Sequence, residues 1–310
     1  MKPFRFGINA RDAGSRAEWQ DKARRVEDLG YSALMVPDHL AAMLAPIPAA
    51  VSAAAATTSL RVGTNVLNNI FRHPVLVARE AATADLLTDG RFELGLGAGH
   101  MRSETDLAGL PFERGRVRVE RLAEAVTIIK ALLAGAEVTF AGQHYRVTGH
   151  TIHPRPIQRP HPPIIIGGNG PRLLTLAAKE ADIVGITGIT FVRGGTELDL
   201  SAWRTGVTDE RVRLVREAAG ARVDRLELSA LIQRVVVTEH RGQAAAELQK
   251  NWKQLSVEEI LEAPFVLIGT VDEMVEALHA RRERWGFSYF VTFEQYLKTL
   301  APVVARLAGK

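Results

Sequence analysis

Eight short apolar runs, each followed by a stretch that reads as helix, constrain this 310-residue chain more than any other feature. They centre near residues 6, 34, 63, 94, 165, 185, 230 and 291. Parallel strands cannot be joined by tight hairpins and need crossover segments, so this alternation builds a parallel sheet with helices on its faces. Eight units are the number that closes a (β/α)8 TIM barrel. A doubly wound open sheet satisfies the same alternation and is the competing architecture. No composition break or flexible linker divides the chain. Residues 1–310 are therefore expected to form a single barrel domain with insertions at its carboxyl mouth.

Local signals place the elements. Ser15 three residues before Glu18 predicts a capping box opening a helix over Ser15–Leu29. Proline opens the helices predicted at Pro46–Thr57, Pro74–Leu87 and Pro171–Lys179, where its missing N–H costs nothing. Leu60–Val66, Arg91–Leu96 and Leu226–Val237 read as strands, and Gly99–Gly115 as a polar loop before a long helix, Arg116–Leu133. A hairpin is expected at Thr139–Val147, an extended proline-rich segment at His153–Pro163, and mostly helix over Glu239–Glu262. The glycine-rich stretch Thr187–Thr205 is expected to be mobile.

Composition removes several chemistries. With no cysteine there is no disulfide, iron–sulfur cluster, thiolate–zinc site or cysteine nucleophile. The nine histidines show no His-x-x-x-His spacing, so no metal site is expected. Lys plus Arg exceed Asp plus Glu by 39 − 35 = 4, too small an excess for a nucleic-acid footprint. No run approaches the roughly 18 apolar residues of a membrane span, and the first residues lack a leader's apolar core. A cytoplasmic protein with no nucleic-acid or membrane partner is expected.

In a parallel α/β fold, ligands bind where the strands end. Gly167-Gly168-Asn169-Gly170 runs from a buried strand into a helix opened by Pro171. Glycines permit close backbone approach, and the free N–H groups of a helix start attract an anion such as phosphate. Asn169 suits a left-handed turn position. A tight turn without any ligand fits the same four residues. Gly95–Gly99 is no dinucleotide fingerprint, because its third position falls on His100 or Arg102. That loop brings backbone close either to a ligand or to a neighbouring strand. His39, beside Asp38 at a strand end, reads as an acid–base group or ligand donor, or as a satisfied structural histidine. Arg211, Arg213 and Arg216, with Glu210 and Glu217 close by, read as a solvated helix face.

Three stretches carry a resemblance. They are Arg72-His73-Pro74 through Ala78–Ala82 to Asp89–Gly99, the segment Pro154–Gly168, and Gly269-Thr270 with Asp272-Glu273. Together they resemble the bacterial luciferase-like oxidoreductases, and within them the class dependent on the deazaflavin coenzyme F420. The resemblance implies a (β/α)8 barrel with the deazaflavin ring at its carboxyl mouth. It implies Asp38 and His39 beside the reacting edge, with His39 as proton donor or acceptor tuned by Asp38. It further implies a non-prolyl cis peptide at Asn65–Val66 behind the ring, Gly99 and His100 at the ribityl chain, and Gly167, Gly168, Asn169 and Gly170 at the phosphate. The activity implied is hydride transfer between deazaflavin C5 and a small organic substrate. An FMN-dependent monooxygenase and a non-catalytic flavin or deazaflavin carrier are the alternatives. Relatives that oxidise sugar phosphates carry an acidic residue where His100 stands, and a Trp soon after the Asp-His pair, where Leu40–Met43 stand here. A fairly apolar cleft is expected instead, walled by Met43, Leu44, Phe71 and Phe191. Arg72, Arg102 and Arg172 are candidates for the coenzyme's polyglutamate tail, and a homodimer is the expected assembly.

Overall fold

The computed structural model describes residues 1–188, 190–192 and 197–310, with side chains at 190–192, 197 and 198 left undescribed. Eight parallel strands close a barrel: β1 (Arg5–Asn9), β2 (Ala33–Val36), β3 (Arg61–Thr64), β4 (Phe92–Gly97), β5 (Ile164–Gly168), β6 (Ile183–Ile186), β7 (Glu227–Leu231) and β8 (Phe287–Phe293). Closure is direct. β8 pairs with both β1 and β7, and β3 meets β4 at Val62–Phe92 and Gly63–Glu93. The open-sheet alternative is thereby excluded. Among the described residues, no helix is long and apolar enough to cross a membrane.

Two apolar clusters hold the barrel. The larger lies between the strands and the surrounding helices, with Phe6, Ile8, Leu34, Val36, Leu94, Ile164 and Ile166 fully buried. The smaller comes from strands alone, Ala33, Met35, Ile165, Ile183, Tyr289 and Val291, and fills the barrel's interior. Alternation along each strand sends one set outward and the other inward. The amino end of the interior is charged. Arg5 pairs with Glu93 and, at 2.7 Å, with Glu227, and Arg61 meets Glu93 at 2.5 Å. Burial alone would raise the Glu93 carboxyl, but the Arg5 and Arg61 charges outweigh it and hold it below the ordinary carboxylate range. The guanidinium of Arg5 also lies 4.3 Å from the Tyr289 ring centroid.

The third strand does not run straight. It stops at Thr64, passes a cis peptide at Asn65–Val66, and resumes at Leu67–Asn68 beside Leu96–Gly97. Across the interruption the Thr64 hydroxyl takes the place of the backbone ladder. It accepts from the Gly95 N–H and donates to the Gly95 carbonyl, both at 2.9 Å. The neighbouring backbones are so close that a Cβ on Gly95 would sit 1.9 Å from the Thr64 carbonyl oxygen, and one on Gly63 2.2 Å from that of Glu93. A Cβ on Gly97 would strike Val66 at 2.5 Å. The glycines of Gly95–Gly97 thus serve a neighbouring strand.

The structure corrects several local readings. The segment Leu226–Val237 is two strands, because the chain turns after Leu231 and Arg234–Val237 leaves the barrel to pair with Val266–Gly269. The stretch Glu239–Glu262 divides into helices at Arg241–Gln249 and Val257–Glu262. Only half the capping box at Ser15 forms: its side chain accepts from Glu18 N–H, while the Glu18 carboxylate turns to Gly14 N–H at 2.8 Å. The loop Gly99–Gly115 contains a helix at Arg102–Leu107, too short to show an apolar period. Within Thr187–Thr205, the antiparallel pair Thr190–Val192 and Glu197–Asp199 precedes a buried turn at Leu200–Trp203. Residues 189 and 193–196 of that stretch lie outside the described residues, and its expected mobility is not tested.

Gly95→Ala is expected to destabilise the fold by about 3 kcal/mol, since both atoms in conflict are backbone-bound and neither can rotate away. Equilibrium urea unfolding checks this, with Gly170→Ala, which would meet nothing within 4 Å, as the comparison.

Candidate active site

The carboxyl ends of the strands open into a cavity of about 880 Å³. This lies within the size range of small-molecule and cofactor sites. Asn9, Pro37, Asn65, Gly97, Gly167, Thr187, Leu231 and Phe293 line it from the strand ends. Asp38, His39, Val66, Gly99, His100, Gly168, Asn169 and Gly170 line it too, so the residues expected at the reacting edge, the bulge, the ribityl chain and the phosphate share one cavity.

Asp38 and His39 are adjacent in sequence but do not serve each other. Asp38 is buried, and its carboxylate is held by Arg72 (Nη1 to Oδ2 2.5 Å, Nη2 to Oδ1 3.2 Å) and by the Asn68 N–H at 2.9 Å. Two-pronged arginine pairing of this kind fixes a carboxylate's orientation. The expectation that Asp38 tunes His39 is therefore corrected, and Arg72 is committed to Asp38 where a cofactor-tail role was expected. His39 pairs with Glu104 instead, Nδ1 to Oε1 at 2.8 Å. Glu104 comes from the short helix Arg102–Leu107, which the sequence did not reveal. The residue carried no signal except its position one helical turn after His100.

The ring of His100 stands edge-on to His39, with centroids 5.3 Å apart. Burial, reinforced by the His39 and Arg118 charges, pushes His100 down to about 4, so it is neutral at ordinary pH.

The glycine loop ends β5 and opens the helix Pro171–Glu180. Gly170 is its N-cap with no side-chain cap, so the first N–H groups of the helix are available to an anion. A Cβ on Gly170 would meet open space, consistent with room for a ligand there. Asn169 departs from expectation, because it is not among the residues with positive φ. Its side chain ties the loop to the end of β6, donating to Thr187 Oγ1 and accepting from Gly188 N–H, each at 3.2 Å. Gly99 does adopt positive φ, +80°, with Asn68 Oδ1 2.5 Å from where a Cβ would lie.

Of the expected cleft walls, Met43 lines the cavity, whereas Leu44 packs on the helix-side core and Phe71 is not part of the lining. The Phe191 side chain lies outside the described residues. Sequence reading also missed cationic lining. Arg118 stacks on Phe112 at 4.0 Å, and Arg211, expected on a solvated face, lines the cavity. Burial lowers both guanidinium groups below their usual range. Glu294, just after the last strand, pairs with Lys22 at 2.5 Å.

These features define a (β/α)8 barrel in which a histidine–carboxylate pair and a glycine loop at a helix start line one cavity. The chain matches the luciferase-like monooxygenase family model over residues 3–289 and belongs to that family. It is similar to the F420-dependent glucose-6-phosphate dehydrogenase of Nakamurella multipartita, 32% identical over 264 residues, covering 82% of this chain and 74% of that protein. The corresponding enzyme of Microbacterium testaceum is 36% identical over 189 residues, 58% of this chain, and the match spans only about half (55%) of that relative. Among solved structures, the coenzyme F420 dependent tetrahydromethanopterin reductase of Methanopyrus kandleri shares the fold, with TM-score 0.77 and 17% identity over 99% of this chain and 100% of that one.

His100 makes a stability prediction. Between pH 6.5 and about 4 the unfolded chain binds a proton that the folded chain refuses. Stability is therefore lost as pH falls through that window, by at most about 3 kcal/mol. In His100→Asn the pH dependence of urea unfolding over the same window is expected to flatten.

Proposed function

We propose that this protein is an F420-dependent oxidoreductase acting on a small organic substrate. The observation that carries the reading is the joining, in one cavity, of His39, the Asn65–Val66 bulge and the Gly167–Gly170 anion site. The names of the curated relatives support it. The residues present suit such a cofactor. The helix start after Gly170 would hold its phosphate, and Gly99, with no side chain, would let an extended chain pass close to the backbone. Val66 and the cis bond would back the ring, with Asp38 and His39 at its reacting edge.

F420, when bound, supplies a two-electron acceptor or donor for hydride exchange with the substrate. The protein's own contribution is orientation, exclusion of water, and proton management at the substrate oxygen. His39 is the group placed for that proton, because its ring lines the cavity and a carboxylate supports it from behind. Leu231, Phe293, Val66 and Met43 give the cavity apolar wall, which suits a fairly apolar substrate. His100, where sugar-phosphate-oxidising relatives carry an acid, argues against a sugar phosphate.

Fluorescence titration with F420 and with FMN tests the cofactor assignment. Saturable F420 binding with no FMN response is expected, and the reverse would overturn it. His39→Ala is expected to bind F420 as the native protein does while losing about 100-fold or more in turnover.

We further propose a homodimer formed through the barrel helices, in the cytoplasm. Leu76, Leu86 and Leu87 are exposed on the helix Pro74–Leu87, beside a groove that includes Ile47, Pro48 and Val51. Leu87→Asp is expected to shift the protein to monomer in sedimentation velocity, with folding unchanged. Cell fractionation tests the location.

A further inference from the structure

We propose that Glu104 is the positioning residue of His39: it fixes which ring nitrogen carries the proton and supports the charge that forms when the ring is protonated. The inference rests on the functional reading above for its catalytic consequence, but the pairing itself does not.

An ionised carboxylate can only accept hydrogen bonds. With Glu104 Oε1 2.8 Å from His39 Nδ1, the proton therefore resides on Nδ1. That leaves Nε2 as the basic nitrogen of a ring that lines the cavity. In free imidazole the two tautomers exchange, and which one persists in a protein is set by the partner of the other nitrogen. The neighbouring carboxylate, Asp38, does not compete for this role. Asp38 is saturated by Arg72 and the Asn68 N–H. His100, the ring standing against His39, is kept neutral by burial and so brings no opposing charge.

Glu104 is itself placed for the task. Its side chain is 8% exposed, and its second oxygen, Oε2, is buried with no hydrogen-bond partner among the described residues. A carboxylate held this way has charge left over, and the nearest proton it can stabilise is the one on His39. When Nε2 takes a proton from a substrate hydroxyl, the resulting imidazolium donates from Nδ1 to Glu104. In the opposite direction Nε2 returns the proton and the same bond persists.

The test uses the full-length protein with its histidine rings labelled with nitrogen-15. In the cofactor-free native protein at alkaline pH, His39, assigned through His39→Gln, is expected to carry its proton on Nδ1. In Glu104→Leu it is expected to revert to the Nε2-protonated form. In F420-coupled turnover, Glu104→Leu should lower kcat by about 100-fold with KM and F420 affinity nearly unchanged. Glu104→Gln, which can keep the hydrogen bond and loses the charge, should fall between the two. A native His39 protonated on Nε2, or a tautomer indifferent to Glu104→Leu, would overturn the proposal. Retention of the Nδ1 form in a protein that turns over nothing with F420 would leave the pairing standing and overturn the functional reading instead.

Discussion

The close approach of the third and fourth barrel strands is the constraint on which the site depends. Backbone atoms of Gly63 and Gly95 lie where any side chain would collide with a carbonyl of the opposite strand. That proximity lets the chain bend out at Asn65–Val66 and rejoin the sheet at Leu67 without opening the barrel. The Thr64 hydroxyl satisfies both polar groups of Gly95 that the bend would leave unpaired in a buried place. The bend carries Val66 into the cavity wall and sets Asn68 where its N–H reaches Asp38. Remove the tight approach and the bulge, the Asp38 anchor and one wall of the cavity lose their common support.

The same constraint explains what the family-defining residues do. Most of those in the stretch Asp89–Gly99 and the proline-rich segment build the scaffold. Asp89 and Gly90 form a left-handed turn. Arg91 then reaches back to the carbonyls of Ala54 and Leu60, at 3.0 and 3.1 Å. Gln158 joins Asp85 through its N–H and its amide, at 2.8 and 2.6 Å, clamping the proline-rich segment to the helix Pro74–Leu87. Resemblance in these stretches therefore certifies the barrel more directly than it certifies a substrate. The solved reductase structure at 17% identity shows that the fold itself is shared at low sequence identity.

The barrel was legible because its signal is local and repeated: the buried strands are largely apolar runs, and several crossover helices begin with proline or a capping residue, as at Ser15, Pro46, Pro74, Pro171 and Thr270. The turn at Gly167–Gly170 was legible because a glycine run between a buried strand and a helix opened by proline is a local signal. The partner of His39 was not. Glu104 lies 65 positions away in sequence, on a six-residue helix with no apolar period, and sequence adjacency pointed to Asp38 instead. Both residues line the cavity, but Asp38 is held by Arg72 and the Asn68 N–H while His39 meets the short helix of the mouth loop. Arg211 escaped for a related reason. Its neighbours Arg213 and Glu217 are exposed and paired, and a charge pattern cannot reveal that one member faces inward.

The distribution of charge then divides the molecule into two functional halves. At the amino end of the barrel, Arg5, Arg61, Glu93 and Glu227 are matched in sign and locked together, as fits a plug whose task is stability. At the carboxyl end each charge has its own kind of partner: Asp38 an arginine and the Asn68 N–H, His39 a glutamate, Arg118 an aromatic face and the Glu113 carbonyl. His39, held at Nδ1, has a defined position and still has a second nitrogen with which to meet a ligand. The barrel is thus closed by matched pairing below, and the groups that can meet a ligand stand above it on strand ends, loops and one short helix.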